Sequence, residues 1–250
     1  MIATIAGREF RSLFLSPLAW AILGVVQLIL GYLFLSQIET YLLIQPRLGG
    51  MEGAPGVTDL IVAPVLGNAA VVLLLVIPLV TMRLVAEERR NRTLSLLFTA
   101  PVTMTDIILG KYLGILLFLL VMVGLIALMP LALLLGGSLD AGKVAAGLLG
   151  LTLLLAGFAA IGLFMSTLTE QPVVAAISTF GALLGLWIVD WAGRSGEAAD
   201  ALLQYLSILR HYEPLLRGLV RSEDLAYFAL LITAFLILSI RRLDADRVQE

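Results

Sequence analysis

Six stretches of this chain are long, apolar and free of charged side chains, and nothing else constrains its fold as much. They cover residues 18–36, 60–82, 112–135, 144–168, 173–188 and 225–240. A helix needs roughly 20 apolar residues to cross a hydrocarbon core about 30 Å thick. Period-two alternation is absent and the runs are too long for strands, so a barrel does not explain them. Composition closes the other routes. Hydrophobic residues make up 60% of the 250 and charged residues 14%, with a mean hydropathy of +1.05. A soluble domain carries about 45–50% and about 25%. That excess cannot be hidden in one core under a polar surface. A soluble enzyme, a disordered chain and a disulfide-stapled module are excluded, the last also because there is no cysteine.

The net charge of −2 says little, but the placement of charge says more. If the stretches alternate across a membrane, one side holds the N-terminus, the 83–111 loop, the 169–172 turn and the C-terminal tail. Of the 16 Lys and Arg residues, ten fall on that side and six on the other. The excess predicts that this side, with both termini, is cytoplasmic. The first stretch is expected to stay as a span and not to be removed as a signal peptide: it is long, begins only after residue 17, and no small-residue cleavage site follows it. Pro64, Pro78 and Pro130 lie in or near spans, where neighbouring helices can satisfy the freed carbonyls.

Outside the spans, residues 2–14 predict an in-plane helix. Ile2, Ala6, Phe10, Leu13 and Phe14 share one side, Thr4, Arg8 and Arg11 the other, and Glu9 the edge. Pro17 separates it from the first span. In the 83–111 loop, Arg83 and Glu87 are four apart and can pair on one helical face. The mixed run Glu87-Glu88-Arg89-Arg90 suits a protein partner better than a nucleic acid. The plainer reading is a solvated loop. Residues 93–98 form an amphipathic stretch that Pro101 should end; Thr103 and Asp106 fit a capping box that starts the next helix. Across 191–224, Leu202, Tyr205, Leu206 and Leu209 keep helical spacing, as do Tyr212, Leu215, Leu216 and Leu219, with Glu213-Pro214 expected to interrupt. Two short helices dipping into the outer leaflet, or a soluble-looking cap, would account for this. The 37–59 loop, with Pro46, Pro55 and four glycines, is expected to be irregular and mobile.

Chemistry is mostly missing. His211 is the one histidine, which excludes a His-Glu-x-x-His zinc site, and no Gly-x-Ser-x-Gly elbow occurs. Gly110-Lys111-Tyr112 and Gly142-Lys143-Val144 fail the phosphate-loop pattern, so nucleotide is not bound by that route. Asp190 lies beside Trp187 and Trp191 at a span end, and Glu170 lies at a turn; neither is placed for a mid-membrane proton relay. Gly110 and Gly114, and Gly181 and Gly185, allow close helix contact.

Four passages together resemble a known family. They are Arg8-Glu9-Phe10-Arg11 with Ser16-Pro17; Glu87-Glu88-Arg89-Arg90 through Thr99-Ala100-Pro101-Val102-Thr103 to Gly110-Lys111; Gly162-Leu163-Phe164 with Ser166-Thr167-Leu168-Thr169-Glu170-Gln171; and His211-Tyr212-Glu213 with Arg217-Gly218 and Tyr227-Phe228. In this order they resemble the type-2 ABC transporter permeases, most closely the gliding-motility-associated branch. Arg92 stands where the family has glycine, Ser95 where it has glutamate, and Pro172 follows a shortened Glu170-Gln171.

The resemblance implies an all-α integral membrane protein forming a single permease domain over 1–250. It would have six spans, an in-plane helix over 1–17, a cytoplasmic coupling loop over 83–111 and an external re-entrant hairpin over 192–224. It implies a bacterial inner-membrane half-transporter that is not itself an enzyme. Two such permease chains would pair, and each would bind a soluble ATPase carrying ATP and magnesium; this chain itself would hold no cofactor or metal. Docking would fall to Arg8, Glu9, Arg11, Glu87, Glu88, Arg89, Arg90, Thr99, Pro101, Thr103, Asp106 and Lys111. The hairpin would present His211, Glu213, Arg217 and Gly218. The expected cargo is an envelope lipid, glycan or other amphipathic molecule. The alternative is a scaffold that works mechanically on an envelope partner, with an auxiliary protein and no transported solute.

Overall fold

The computed structural model describes residues 1–48, 56–93, 102–135, 139–192 and 205–249, and all their regular structure is helical. Helix α1 spans Ile2–Leu15 and α2 Pro17–Leu48. A π-helical turn, Thr58–Val62, runs directly into α3, Ala63–Thr81. A short α4, Ala86–Arg90, follows. Then come α5, Met104–Ala132, α6, Ala141–Thr167, and α7, Pro172–Ala192. Helix α8, Ile208–Leu216, and α9, Ser222–Gln249, complete the chain. Among the described residues, six helical segments are long and apolar enough to cross a membrane: those built on α2, α3, α5, α6, α7 and α9.

Local chemistry sets the boundaries. Pro17 disfavours a helical conformation at the residue before it, and Ser16 is extended at φ −81° and ψ 129°, so α1 and α2 are separate helices. Thr103 Oγ1 accepts from Asp106 N at 3.1 Å, and Asp106 Oδ2 accepts from Thr103 N at 3.4 Å, completing the expected capping box of α5. Asp140 caps α6 by accepting from Gly142 N and Lys143 N at 3.0 and 3.1 Å. Pro172 opens α7, where its missing N–H costs no helical bond.

Helix α6 is the axis of the bundle and packs against α3, α5, α7, α8 and α9. Its small residues let neighbours approach closely. A Cβ at Gly162 would lie 2.3 Å from Thr81 Oγ1, and one at Gly150 would lie 2.7 Å from Leu215 Cβ. Phe118, Phe158, Tyr212 and Phe228 are fully buried in the core around it. The outward faces stay apolar, with Leu28, Tyr32, Leu128, Ile177 and Leu230 exposed. This is the surface of a chain solvated by lipid.

Three expectations are corrected. Residues 37–48, expected to be irregular, continue α2 as helix. The run 37–45 contains neither Gly nor Pro, so nothing ends the helix before Pro46, which sits inside its last turn. Only residues 49–55 of that loop lie outside the described chain. Arg83 and Glu87 do not pair on one helical face, because residues 82–85 form a turn between α3 and α4. Glu213-Pro214 does not interrupt: Pro214 lies inside α8. Buried Ile208, His211, Tyr212 and Leu215 hold one face of that helix, and packing outweighs the single bond that proline removes. Residues 94–101, with all of the 93–98 stretch but Thr93, and with Ser95, Thr99 and Pro101, and residues 193–204, with Leu202, lie outside the described residues.

Candidate functional site

Helix α1 lies along the first turns of α5. Gly110 and Gly114 make this possible: a Cβ at Gly110 would meet Ile5 Cβ at 2.6 Å, and one at Gly114 would meet Glu9 Cβ at 2.6 Å. Between them sits Lys111, whose side chain is 3% exposed. Its Nζ donates to Glu9 Oε1 at 2.9 Å and to Glu88 Oε1 at 2.7 Å. One ammonium thus joins α1, α4 and α5. A charge this deep persists only when paired, and the exposed Arg8 guanidinium, 3.6 Å from both carboxylates, offsets the second negative charge.

The 82–93 segment is held from two further helices. Ser166 Oγ, at the end of α6, accepts from Val85 N and Ala86 N, both at 3.0 Å, and donates to Met82 O at 3.1 Å. These bonds satisfy backbone groups that a turn leaves open, which is why the helix does not need to continue past Met82. Arg89 pairs with Asp246 near the end of α9, and Arg242 lies 3.4 Å from the same carboxylate.

Helix α4 ends in a Schellman motif. Arg92 N donates to Arg89 O at 3.0 Å, Thr93 N donates to Glu88 O at 3.0 Å, and Arg92 takes φ +55°. A left-handed conformation at this position favours glycine over arginine. Helix α8 ends the same way: Gly218 at φ +84° donates to Leu215 O at 3.1 Å, and Leu219 N donates to Pro214 O at 2.9 Å. Gly218 is therefore a helix stop, packed so that a Cβ would lie 2.7 Å from Lys143 Cγ.

Of the residues assigned to docking, Arg8, Glu9, Glu88 and Lys111 come together, and Arg89 joins α9 instead. Glu87, Arg11 and Arg90 are exposed and make no ion pair among the described residues. Thr103 and Asp106 bond to each other as a cap. Sequence reasoning missed Ser166, Arg242 and Asp246 as partners of this segment. Ser166 carried a signal as part of a motif; Asp246, in a mixed-charge tail, carried none.

At the opposite end of the bundle, His211 is buried between acceptors. Its Nδ1 lies in hydrogen-bond contact with Asp224 Oδ1 at 2.7 Å, and its Nε2 with Tyr205 O at 3.1 Å. The ring stacks on Tyr227 at 4.0 Å. Tyr227 donates to Leu206 O, and Tyr212 donates to Leu66 O at 2.9 Å; burial pushes the Tyr212 phenol up from its ordinary range. Glu213 and Arg217 are exposed and 3.6 Å apart, while Lys143 binds Asp59 at 2.7 Å. This constellation locks α8 to α3 and α9. It contains no nucleophile poised beside a base, and among the described residues no cluster of carboxylates and histidine could hold a metal.

A cleft of about 520 Å³ opens beside the Lys111 junction, between α1, α2, α3, α4 and α5. Leu18, Ile22, Leu79 and Phe118 line its apolar part, and Arg8, Arg83 and Glu87 its charged part.

The family described as ABC-2 family transporter protein matches residues 51–190, from just before the π-helical turn to the end of α7. No curated protein matches the chain.

Proposed function

The chain belongs to the ABC-2 family of transporter proteins and is the membrane component of an ABC transporter, and on that premise we propose that it is the permease half of an ATP-driven exporter. The single domain spans 1–250, and both termini face the cytoplasm of a bacterial inner membrane. Two permease chains pair, and each engages a separate ATPase that carries ATP and magnesium. The four motifs favour the gliding-motility-associated branch, with an envelope lipid, glycan or other amphipathic molecule as cargo. Helix α1 lies in the membrane plane, and α8 with the segment before it forms the external re-entrant hairpin.

The observation that carries this reading is the Lys111 junction. Glu9, Glu88 and Lys111 bind a mixed-charge segment rigidly to the start of a membrane-crossing helix. A partner that moves α4 would therefore move α5, which is what coupling ATPase closure to a span requires. Exposed Arg11 and Arg90 are then the residues that face the ATPase.

The test is co-purification of the ATPase encoded with this chain. Arg11→Glu with Arg90→Glu should lower ATPase recovery strongly while the chain inserts and unfolds as before. Unchanged recovery would remove this surface from the proposal. Glu88 is a poor choice for such a test, because its loss strips a buried partner from Lys111.

A further inference from the structure

We propose that the cleft beside the Lys111 junction binds one phospholipid with a zwitterionic headgroup that ends in a primary ammonium, of the phosphoethanolamine class. The site stands apart from the exporter reading, since such a lipid binds whether or not it is the cargo.

The lining is ordered as a lipid is ordered. Arg83 and Glu87 lie in the segment just past α3, outside the apolar stretches. Leu18 and Ile22 lie in the first two turns of α2, Leu79 in the last turn of α3, and Phe118 two turns beyond Lys111 on α5. A molecule filling the cleft therefore meets charge at the level where the spans begin and hydrocarbon a turn or two deeper. The volume of about 520 Å³ suits a headgroup and the upper part of its chains. The rest of the chains would run along the exposed apolar faces of α2 and α3.

Charge selects the headgroup. Three cationic and three anionic side chains line the cleft: Arg8, Arg83 and Lys111 against Glu9, Glu87 and Glu88. The sum is zero, which gives an anionic lipid no net attraction. Lys111 and Arg8 are taken up by Glu9 and Glu88. Arg83 and Glu87 make no ion pair among the described residues, and both are exposed. One unpaired cation and one unpaired anion on the same lining complement a phosphate and an ammonium on one headgroup. The exposed Glu87 carboxylate on the lining accepts from N–H donors. An ammonium supplies three such donors, and a trimethylammonium supplies none. Among the described residues, the charged part of the lining also lacks the aromatic rings that would hold a choline by cation–π attraction.

The test uses the full-length chain in detergent, exchanged into phosphatidylethanolamine, phosphatidylcholine or phosphatidylglycerol, with bound lipid counted by native mass spectrometry. One phosphatidylethanolamine per chain is expected, held about tenfold more tightly than the other two, the value of one charge-assisted hydrogen bond. Glu87→Gln should bring phosphatidylethanolamine down to the level of phosphatidylcholine. Arg83→Gln should weaken both by about tenfold. Ala19→Trp, which fills the cleft, should abolish the adduct. Arg83 and Glu87 make no ion pair that the fold needs, so circular dichroism and gel filtration should be unchanged in their variants. Equal retention of the three lipids, or a preference that survives the Arg83 and Glu87 variants, overturns the proposal. So does a cleft that stays empty of lipid and is protected only when the ATPase binds.

Discussion

Lys111 Nζ lies 2.7 Å from Glu88 Oε1, and through that contact α5 is fastened to a short helix whose sequence is mostly charged. Replacing Lys111 with Met should leave Glu9 and Glu88 facing each other without their shared cation. The expected loss is about 3 kcal/mol, in the range for breaking one partner out of a buried pair. Adding Glu9→Gln and Glu88→Gln should recover most of it. Reversible unfolding in mixed detergent would measure both steps, and a Lys111→Met variant as stable as the parent would show that the junction contributes little.

The two Schellman motifs make opposite predictions. Arg92→Gly should stabilise α4 by up to about 1 kcal/mol, since glycine adopts a left-handed conformation without a Cβ clash. Gly218→Ala should destabilise by at least that amount, because φ is +84° and the new Cβ would press on the Lys143 side chain. Hydrogen exchange at the helix ends would report each change locally.

Ser166→Ala removes one acceptor from two buried N–H groups and one donor from a carbonyl. The expected cost is about 2–3 kcal/mol, with exchange at Val85 and Ala86 accelerated well beyond that of the α6 core. Unchanged exchange there would mean that water replaces the hydroxyl without penalty.

Asp224→Asn keeps the shape of the His211 partner but weakens the buried hydrogen bond between α8 and α9. The expected cost is about 1–3 kcal/mol, while Glu213→Gln at the exposed pair with Arg217 should cost under about 1 kcal/mol. Thermal unfolding of both variants in one detergent would compare them directly.

The chain has no cysteine, so single cysteines can map its orientation without background. Ala3→Cys should be labelled only from the cytoplasmic side and Arg217→Cys only from the other, both positions being exposed. Labelling of both from one side would contradict the five crossings proposed between them.

The spans were legible because lipid demands long uncharged helices, and α5 was legible at its start because Thr103 and Asp106 form a cap with a fixed spacing. The break at Ser16–Pro17 was legible for the same kind of reason: proline acts on its immediate neighbour. Residues 37–48 depart from the expected loop because the glycines and prolines from Pro46 onward act locally, and the residues before them favour helix. Pro214 does not break its helix because a proline signal is local, whereas α8 is held by distant partners such as Leu66 and Asp224. The Lys111 junction was only half visible. Its residues were singled out one by one, but Glu9 and Lys111 are 102 positions apart, and no spacing rule reports that distance. The docking of Ser166 under the 82–85 turn and of Asp246 on Arg89 depends on tertiary approach in the same way.

The segment from Met82 to Thr93 is gripped by α5 through Lys111, by α6 through Ser166 and by α9 through Asp246. A push applied to α4 is thus divided among three membrane-crossing helices before the segment itself can bend. On the proposed docking the segment would act as a yoke: load would enter at one small helix and leave through several long ones, and a short stroke outside the membrane would become a concerted shift within it.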